Sequence, residues 1–188
     1  MNCKYCDLKN TTEYGTVNYL SFEEIHDEIV KYDKQDTKDN IQTRFVFTGG
    51  EPFLYWDWIK KIIEEYGDYF EYEFNTSGYL LTEDILIFLS KYKFIKFYLS
   101  VDGNEALTNY LRPTNDTKYH TGYMKKFKKI VPTLLYYFPT TAFKIIINPR
   151  YVDLTYESWK TAINLGFKNF FITLDFESRP TPVKEIKK

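Results

Sequence analysis

Apolar positions along this chain follow two alternating rhythms: short runs with a period near two or no period, and longer stretches at helical spacing. The run Phe45-Val46-Phe47 is unbroken, as in a strand buried on both faces, and predicts a strand over 44–48. A helix is expected from 55 to 66, with Tyr55, Ile59, Ile62, Ile63 and Tyr66 on one stripe. In 69–75, Phe70, Tyr72 and Phe74 alternate with Glu71 and Glu73, a second strand. Thr82 caps a helix carrying Ile85, Phe88, Leu89 and Tyr92, and the third strand runs from Phe94 to Val101. After an excursion through Arg112-Pro113, a helix from 119 to 138 carries Met124, Phe127, Val131, Leu134 and Phe138, and Pro132 should bend or break it. The fourth strand, Phe143 to Asn148, stops at Pro149. Thr155 then caps a helix with Trp159, Ala162 and Ile163, Gly166 closes it, and Phe170 to Asp175 is the fifth strand before a frayed tail. Ahead of all this, residues 7–20 read as a loop. Ser21 and Glu24 form a capping box for a helix with Phe22, Ile25, Ile29 and Val30 on its apolar face, followed by a charged, solvated stretch at 33–40. Leu20 and Ile25 make the hydrophobic staple of that helix, and His26 reads as a surface or half-buried side chain.

Strands alternating with amphipathic helices indicate an α/β fold built of βαβ units around a parallel sheet. Such a sheet is either open and doubly wound or part of a (β/α) barrel, and in both cases ligands gather at the C-terminal ends of the strands. That rule brings together Gly49, Gly50 and Glu51, then Asn75 to Gly78, Ser100 to Gly103, Asn148 and Asp175. Gly49 and Gly50 allow positive φ and close approach of a ligand to the main chain, Glu51 offers a carboxylate suited to an ammonium, and Pro52 ends the strand.

Length and charge narrow the class. The 188 residues suit one domain over 1–188, large enough to bury roughly 70% of its unfolded surface without disulfides. With 25 basic and 26 acidic residues the net charge is -1, which favours neither nucleic acid nor a membrane surface as partner. No segment approaches the about 20 apolar residues of a membrane span and no secretory signal is visible, so a cytoplasmic location is expected. The aromatic content of 20% carries little functional information. Both cysteines, Cys3 and Cys6, fall in the first six residues, a distribution that suits metal or redox chemistry better than a disulfide framework.

Taken in order, these motifs resemble the radical S-adenosylmethionine (radical SAM) enzymes, in particular the peptide-modifying branch related to anaerobic sulfatase maturases. Cys3-Lys4-Tyr5-Cys6 is similar to the last two cysteines of CxxxCxxC, and Thr48-Gly49-Gly50-Glu51-Pro52 resembles the glycine-glycine-glutamate motif. Asn75-Thr76-Ser77-Gly78 resembles the third-strand TNG motif with serine in place of asparagine, and Ser100-Val101-Asp102-Gly103 with Arg112 resembles the branch's serine-x-aspartate-glycine and downstream arginine. The resemblance implies a partial TIM-like barrel, expected here with about five strands because the first of the family's six is missing, and with the chain stopping before any auxiliary-cluster domain. It also implies a [4Fe-4S] cluster on thiolates including Cys3 and Cys6, and S-adenosyl-L-methionine split to a 5′-deoxyadenosyl radical that abstracts hydrogen from a substrate such as a peptide or protein. The electron would come from a donor such as flavodoxin or ferredoxin. By the same resemblance Glu51 with the backbone of Gly49 and Gly50 receives the cofactor ammonium, Arg112 its carboxylate, Ser100 the ribose or carboxylate, with Asn75 or Ser77 beside it and Tyr5 near the adenine.

The family's first cysteine would lie two positions ahead of Met1, so the sequence is expected to be a fragment or to begin at a misplaced start. The main alternative is a non-catalytic module that keeps the fold without a competent cluster. A thiol-disulfide oxidoreductase on Cys3 and Cys6 lacks the strand and helix that would flank the pair. A zinc site of Cys3, Cys6, His26 and His120 lacks paired histidine spacing.

Overall fold

Five strands pair in parallel and in chain order: β1 (Arg44–Phe47), β2 (Glu71–Thr76), β3 (Ile95–Ser100), β4 (Ala142–Ile147) and β5 (Asn169–Leu174). The computed structural model describes residues 21–39, 43–112, 123–147 and 152–174. A doubly wound sheet reverses its strand order at a switch point, whereas β1 to β5 follow one another without reversal. That order selects the partial (β/α) barrel from the two architectures the sequence allows, and it puts the C-terminal tips of successive strands side by side.

Alternation within the strands divides the sheet into two unlike faces. Tyr72 and Phe74 of β2, Ile95, Phe97 and Leu99 of β3, and Phe143 and Ile145 of β4 are buried in one apolar cluster with residues from the helices. The helices are α1 (Phe22–Asp39), α2 (Trp56–Tyr66), α3 (Glu83–Leu89), α4 (Glu105–Leu111), α5 (Tyr123–Tyr137) and α6 (Val152–Asn164). Ile59, Ile62 and Ile63 of α2, Ile85, Leu86 and Leu89 of α3, and Met124, Phe127, Val131 and Leu134 of α5 all enter this core. Phe138, just past α5, packs its ring 5.0 Å from Phe97. The opposite, inner face carries Arg44, Glu71, Glu73, Asn75, Lys96, Tyr98, Ser100 and Lys144, as the strand registers require.

Several sequence signals act as expected. Ser21 and Glu24 form a reciprocal capping box, with Glu24 N donating to Ser21 Oγ at 3.1 Å and Ser21 N to Glu24 Oε2 at 2.7 Å. The Thr82 hydroxyl accepts from Ile85 N at the start of α3. His26 is half-buried, with Nδ1 2.6 Å from the Tyr66 hydroxyl and 3.1 Å from Glu65. Among the described residues no helix is long and apolar enough to cross a membrane.

Others are overridden by tertiary context. β1 is an end strand of the sheet, so Val46 on its inner face is 48% exposed and only Phe45 and Phe47 turn toward the core, contrary to a strand buried on both faces. α1 continues through the charged stretch to Asp39. α5 runs on through Pro132 without breaking, because its buried stripe fixes it from both sides of the proline. Thr155 lies inside α6, which starts at Val152. Ser158 and Ala162 form the buried side of that helix, leaving Trp159 and Ile163 exposed. α4 fills the excursion before Arg112; its signal was Asn104, whose side chain caps Leu107 N at 2.9 Å. Leu20, Pro113, His120, Asn148, Pro149 and Asp175 lie outside the described residues.

Candidate functional site

Glu51 stands at the tip of β1 on a loop that is pinned from its far side. Pro52 opens a single 3-10 turn, Pro52–Tyr55, and both Pro52 and Phe53 are buried. The Phe53 ring stacks 5.2 Å from Phe74 and 6.3 Å from Phe97, so the loop is anchored in the aromatic core two residues after the carboxylate. Gly49 takes φ +116, and a Cβ built at Gly49 or Gly50 would meet nothing within 4 Å, so the main chain here borders open space. Of the two glycines only Gly49 uses the positive φ that the sequence led us to expect of both.

The Glu51 carboxylate reaches across to the next strand tip. It accepts from Thr76 Oγ1 at 2.5 Å, from Ser77 N at 3.1 Å and from the Ser77 hydroxyl. A carboxylate has about four acceptor positions, so these three donors orient it and leave room for a further one. Ser77 is tied on its other side as well, because the Tyr123 hydroxyl donates to Ser77 O at 2.7 Å and lies 3.5 Å from Ser100 O. The tips of β1, β2 and β3 are thus joined through Glu51, Ser77 and Tyr123.

Beyond Ser100 the chain turns through Asp102 and Gly103. Arg112, just past α4, is 6% exposed and pairs with the 3% exposed Asp102 through Nε to Oδ2 at 2.7 Å and Nη2 to Oδ1 at 3.3 Å. The two parallel contacts fix the plane of the guanidinium fork. Ser158 of α6 donates to Asp102 O at 2.6 Å. Gly103, at φ +151, leaves no room for a Cβ beside Ser158 and Leu107, which is why a glycine stands there.

The inner face below these tips is polar. Arg44 Nε donates to Glu71 Oε2 at 2.9 Å and Nη1 lies 3.5 Å from Glu73; Lys96 Nζ donates to Glu71 at 3.1 Å. The Lys96 hydrogen bond, followed by Arg44, holds the Glu71 carboxyl below the usual carboxylate range against the opposing effect of burial. Asn75 Nδ2 donates to Glu73 at 3.2 Å. Ser100 is half-buried, and its hydroxyl makes no hydrogen bond among the described residues.

Of the residues singled out in the sequence, Gly49, Gly50, Glu51, Asn75, Ser77, Ser100 and Arg112 all sit at or beside adjoining strand tips. Cys3, Tyr5 and Cys6 lie outside the described residues. Among the described residues no group of three or more His, Cys, Asp or Glu is arranged to hold a metal. Sequence reasoning missed Tyr123, Ser158 and Asp102 as bracing groups. Tyr123 had a signal of sorts, a tyrosine one residue ahead of the apolar stripe of α5.

The sequence profile of the radical SAM superfamily matches residues 1–136. This chain belongs to the radical SAM superfamily. Solved structures with a similar fold include native anSMEcpe with bound AdoMet and Cp18Cys peptide, at TM-score 0.60 and 21% identity over 71% of this chain and 38% of that one. Streptococcus suis SuiB bound to S-adenosylmethionine is similar at TM-score 0.65 and 16% identity, over 96% of this chain and 38% of that one. SuiB bound to precursor peptide SuiA is similar at TM-score 0.65 and 15% identity, over 98% and 41%. The chain therefore spans less than half the length of these radical SAM structures. Among curated proteins, none matches it.

Proposed function

We propose that this chain forms the core of a radical SAM enzyme of the peptide-modifying branch, binding S-adenosyl-L-methionine at the joined tips of β1, β2 and β3. The observation that carries the reading is the Glu51 carboxylate, oriented by Thr76 and Ser77 with acceptor capacity to spare beside the open backbone of Gly49 and Gly50. In this reading an ammonium takes the remaining position on Glu51, and the Gly49 and Gly50 main chain lines the approach. The Ser100 hydroxyl meets the ribose or the carboxylate, Asn75 or Ser77 assists, and Arg112, held in plane by Asp102, supplies charge to the cofactor carboxylate. Tyr5 belongs near the adenine. Cys3 and Cys6 supply thiolates to a [4Fe-4S] cluster, which when bound contributes the electron that splits the sulfonium bond. A peptide or protein is the proposed substrate, flavodoxin or ferredoxin the proposed class of electron donor, and a reducing cytoplasm the setting such a cluster needs.

Anaerobic reconstitution with iron and sulfide, addition of S-adenosyl-L-methionine and dithionite, and quantification of 5′-deoxyadenosine test the reading. Formation of 5′-deoxyadenosine by protein that carries a third cluster cysteine alongside Cys3 and Cys6, abolished in its Glu51→Gln variant, is the expected result. Binding of S-adenosyl-L-methionine without 5′-deoxyadenosine would favour a non-catalytic module on the same fold, and no binding at all would overturn both.

A further inference from the structure

Lys144 lies on the inner face of β4, directly across from Ser100 in the β3–β4 register. It is half-buried, and among the described residues its ammonium forms neither an ion pair nor a hydrogen bond; its contact is with the Phe171 ring, 5.5 Å from the centroid. Burial and the neighbouring Arg112 charge both press the ammonium toward its neutral form, and Glu73 opposes them only in part. A half-buried cation without a partner is costly unless something else supplies the opposite charge. On the next strand Phe171 faces Lys144 and Thr173 faces Ile146, so Thr173 projects from the same inner face one step nearer the strand tips. Its Oγ1 is buried and has no hydrogen-bond partner among the described residues. A buried hydroxyl is normally paired. The two orphaned donors thus occupy adjacent strands on the same side of the sheet, Lys144 beside Ser100 and Thr173 one strand further on.

We propose that Lys144 and Thr173 form a receptor for a ligand carboxylate, the ammonium supplying the charge and the hydroxyl a second hydrogen bond. An ammonium and a hydroxyl side by side suit a planar anion with two acceptor oxygens, and the neighbouring Arg112 adds positive potential. The carboxylate comes either from the amino-acid end of the cofactor or from the substrate, as an acidic side chain or a chain terminus. The inference rests on the reading of the strand tips as the ligand mouth and adds to it a residue pair on β4 and β5 that no motif marks.

The test is amine footprinting of the full wild-type chain. Lys144 is acylated with limiting acetic anhydride and read by mass spectrometry, with exposed Lys31 as internal reference. Two pairs of probes differ only in a carboxylate: S-adenosyl-L-methionine against its decarboxylated analogue, and N-acetylglycinate against N-acetylglycinamide. The carboxylate member of at least one pair should slow acylation of Lys144 severalfold while its neutral counterpart does not. In equilibrium dialysis Lys144→Gln should weaken that same ligand by about tenfold or more, the size of one charge-assisted hydrogen bond, with Lys144→Arg recovering most of the loss. Thr173→Val should weaken it less, and Thr173→Ser should retain it. Protection by S-adenosyl-L-methionine assigns the carboxylate to the cofactor; protection by N-acetylglycinate alone assigns it to the substrate. If neither carboxylate protects Lys144, the proposal is overturned. If the wild type binds no S-adenosyl-L-methionine yet N-acetylglycinate protects Lys144, the cofactor reading fails and the carboxylate receptor stands.

Discussion

At Asp102 and Arg112 a carboxylate and a guanidinium are both almost wholly withdrawn from water, and each faces the opposite charge of the other. Asp102→Asn removes the charge that faces the guanidinium fork and breaks a buried ion pair, which should cost about 3–5 kcal/mol in urea unfolding. Arg112→Lys keeps a charge but loses the fork, and should give weaker binding of S-adenosyl-L-methionine than the wild type even where the fold survives. Tyr123→Phe is a smaller lesion. It deletes the hydroxyl that serves Ser77 O and should cost about 1–3 kcal/mol for the buried carbonyl left behind. Glu51, Ser77 and Ser100 were legible because each sits just past or at a strand end in a recognisable motif, and Arg112, just past α4, because the motif of Ser100 calls for a downstream arginine. Asp102 was read as one member of the serine-x-aspartate-glycine motif and not as the partner of Arg112, since nothing in its neighbours reveals that Arg112 folds back on it across α4. Lys144 and Thr173 were invisible for a similar reason: each is one residue in an otherwise apolar strand, and only the register shows that both face inward.

Among the elements, the short turn after Glu51 does most to set the geometry of the mouth. Phe53→Ala should destabilise the chain by about 3–5 kcal/mol and free the Glu51 loop from its aromatic anchor, seen as faster amide exchange at Gly49 and Gly50. The inner-face ladder of Arg44, Glu71 and Lys96 makes a separate, pH-dependent contribution. Because the folded state lowers the Glu71 pKa, the stabilisation is present above the ordinary carboxylate range and is lost as pH falls through the depressed value. Lys96→Met removes the largest cause of that shift, so its urea midpoint should fall less than that of the wild type between neutral and acidic pH. Helix and strand existence followed from periodicity almost throughout. Termini did not: α6 begins three residues ahead of Thr155 and α5 passes through Pro132, in both cases because packing on the sheet outweighs a local stop or start signal.

For the molecule as a whole, one apolar cluster runs from Ile59 and Phe70 near β1 to Ala162 and Phe167 near β5. Its continuity predicts one cooperative transition. A Trp159→Phe variant, reporting through Trp56 and Trp58 of α2, and a Trp56→Phe/Trp58→Phe variant, reporting through Trp159 of α6, should show denaturant m-values that agree within error. Separate transitions would mean that the two ends of the sheet unfold independently. Parallel architecture was readable in the strand–helix alternation; the choice between a sheet that reverses and one that keeps curling was not readable there, because strand order depends on contacts far apart in the chain, and came instead from the motif resemblance.

Ser77 receives Glu51 through its amide and hydroxyl and Tyr123 through its carbonyl, so it acts as a hinge pin shared by two neighbours. Perturbing either neighbour tilts the same peptide unit. Glu51 and Tyr123 are therefore energetically coupled: in a double-mutant cycle the combined loss in cofactor affinity from Glu51→Gln and Tyr123→Phe will fall short of the sum of the two single losses.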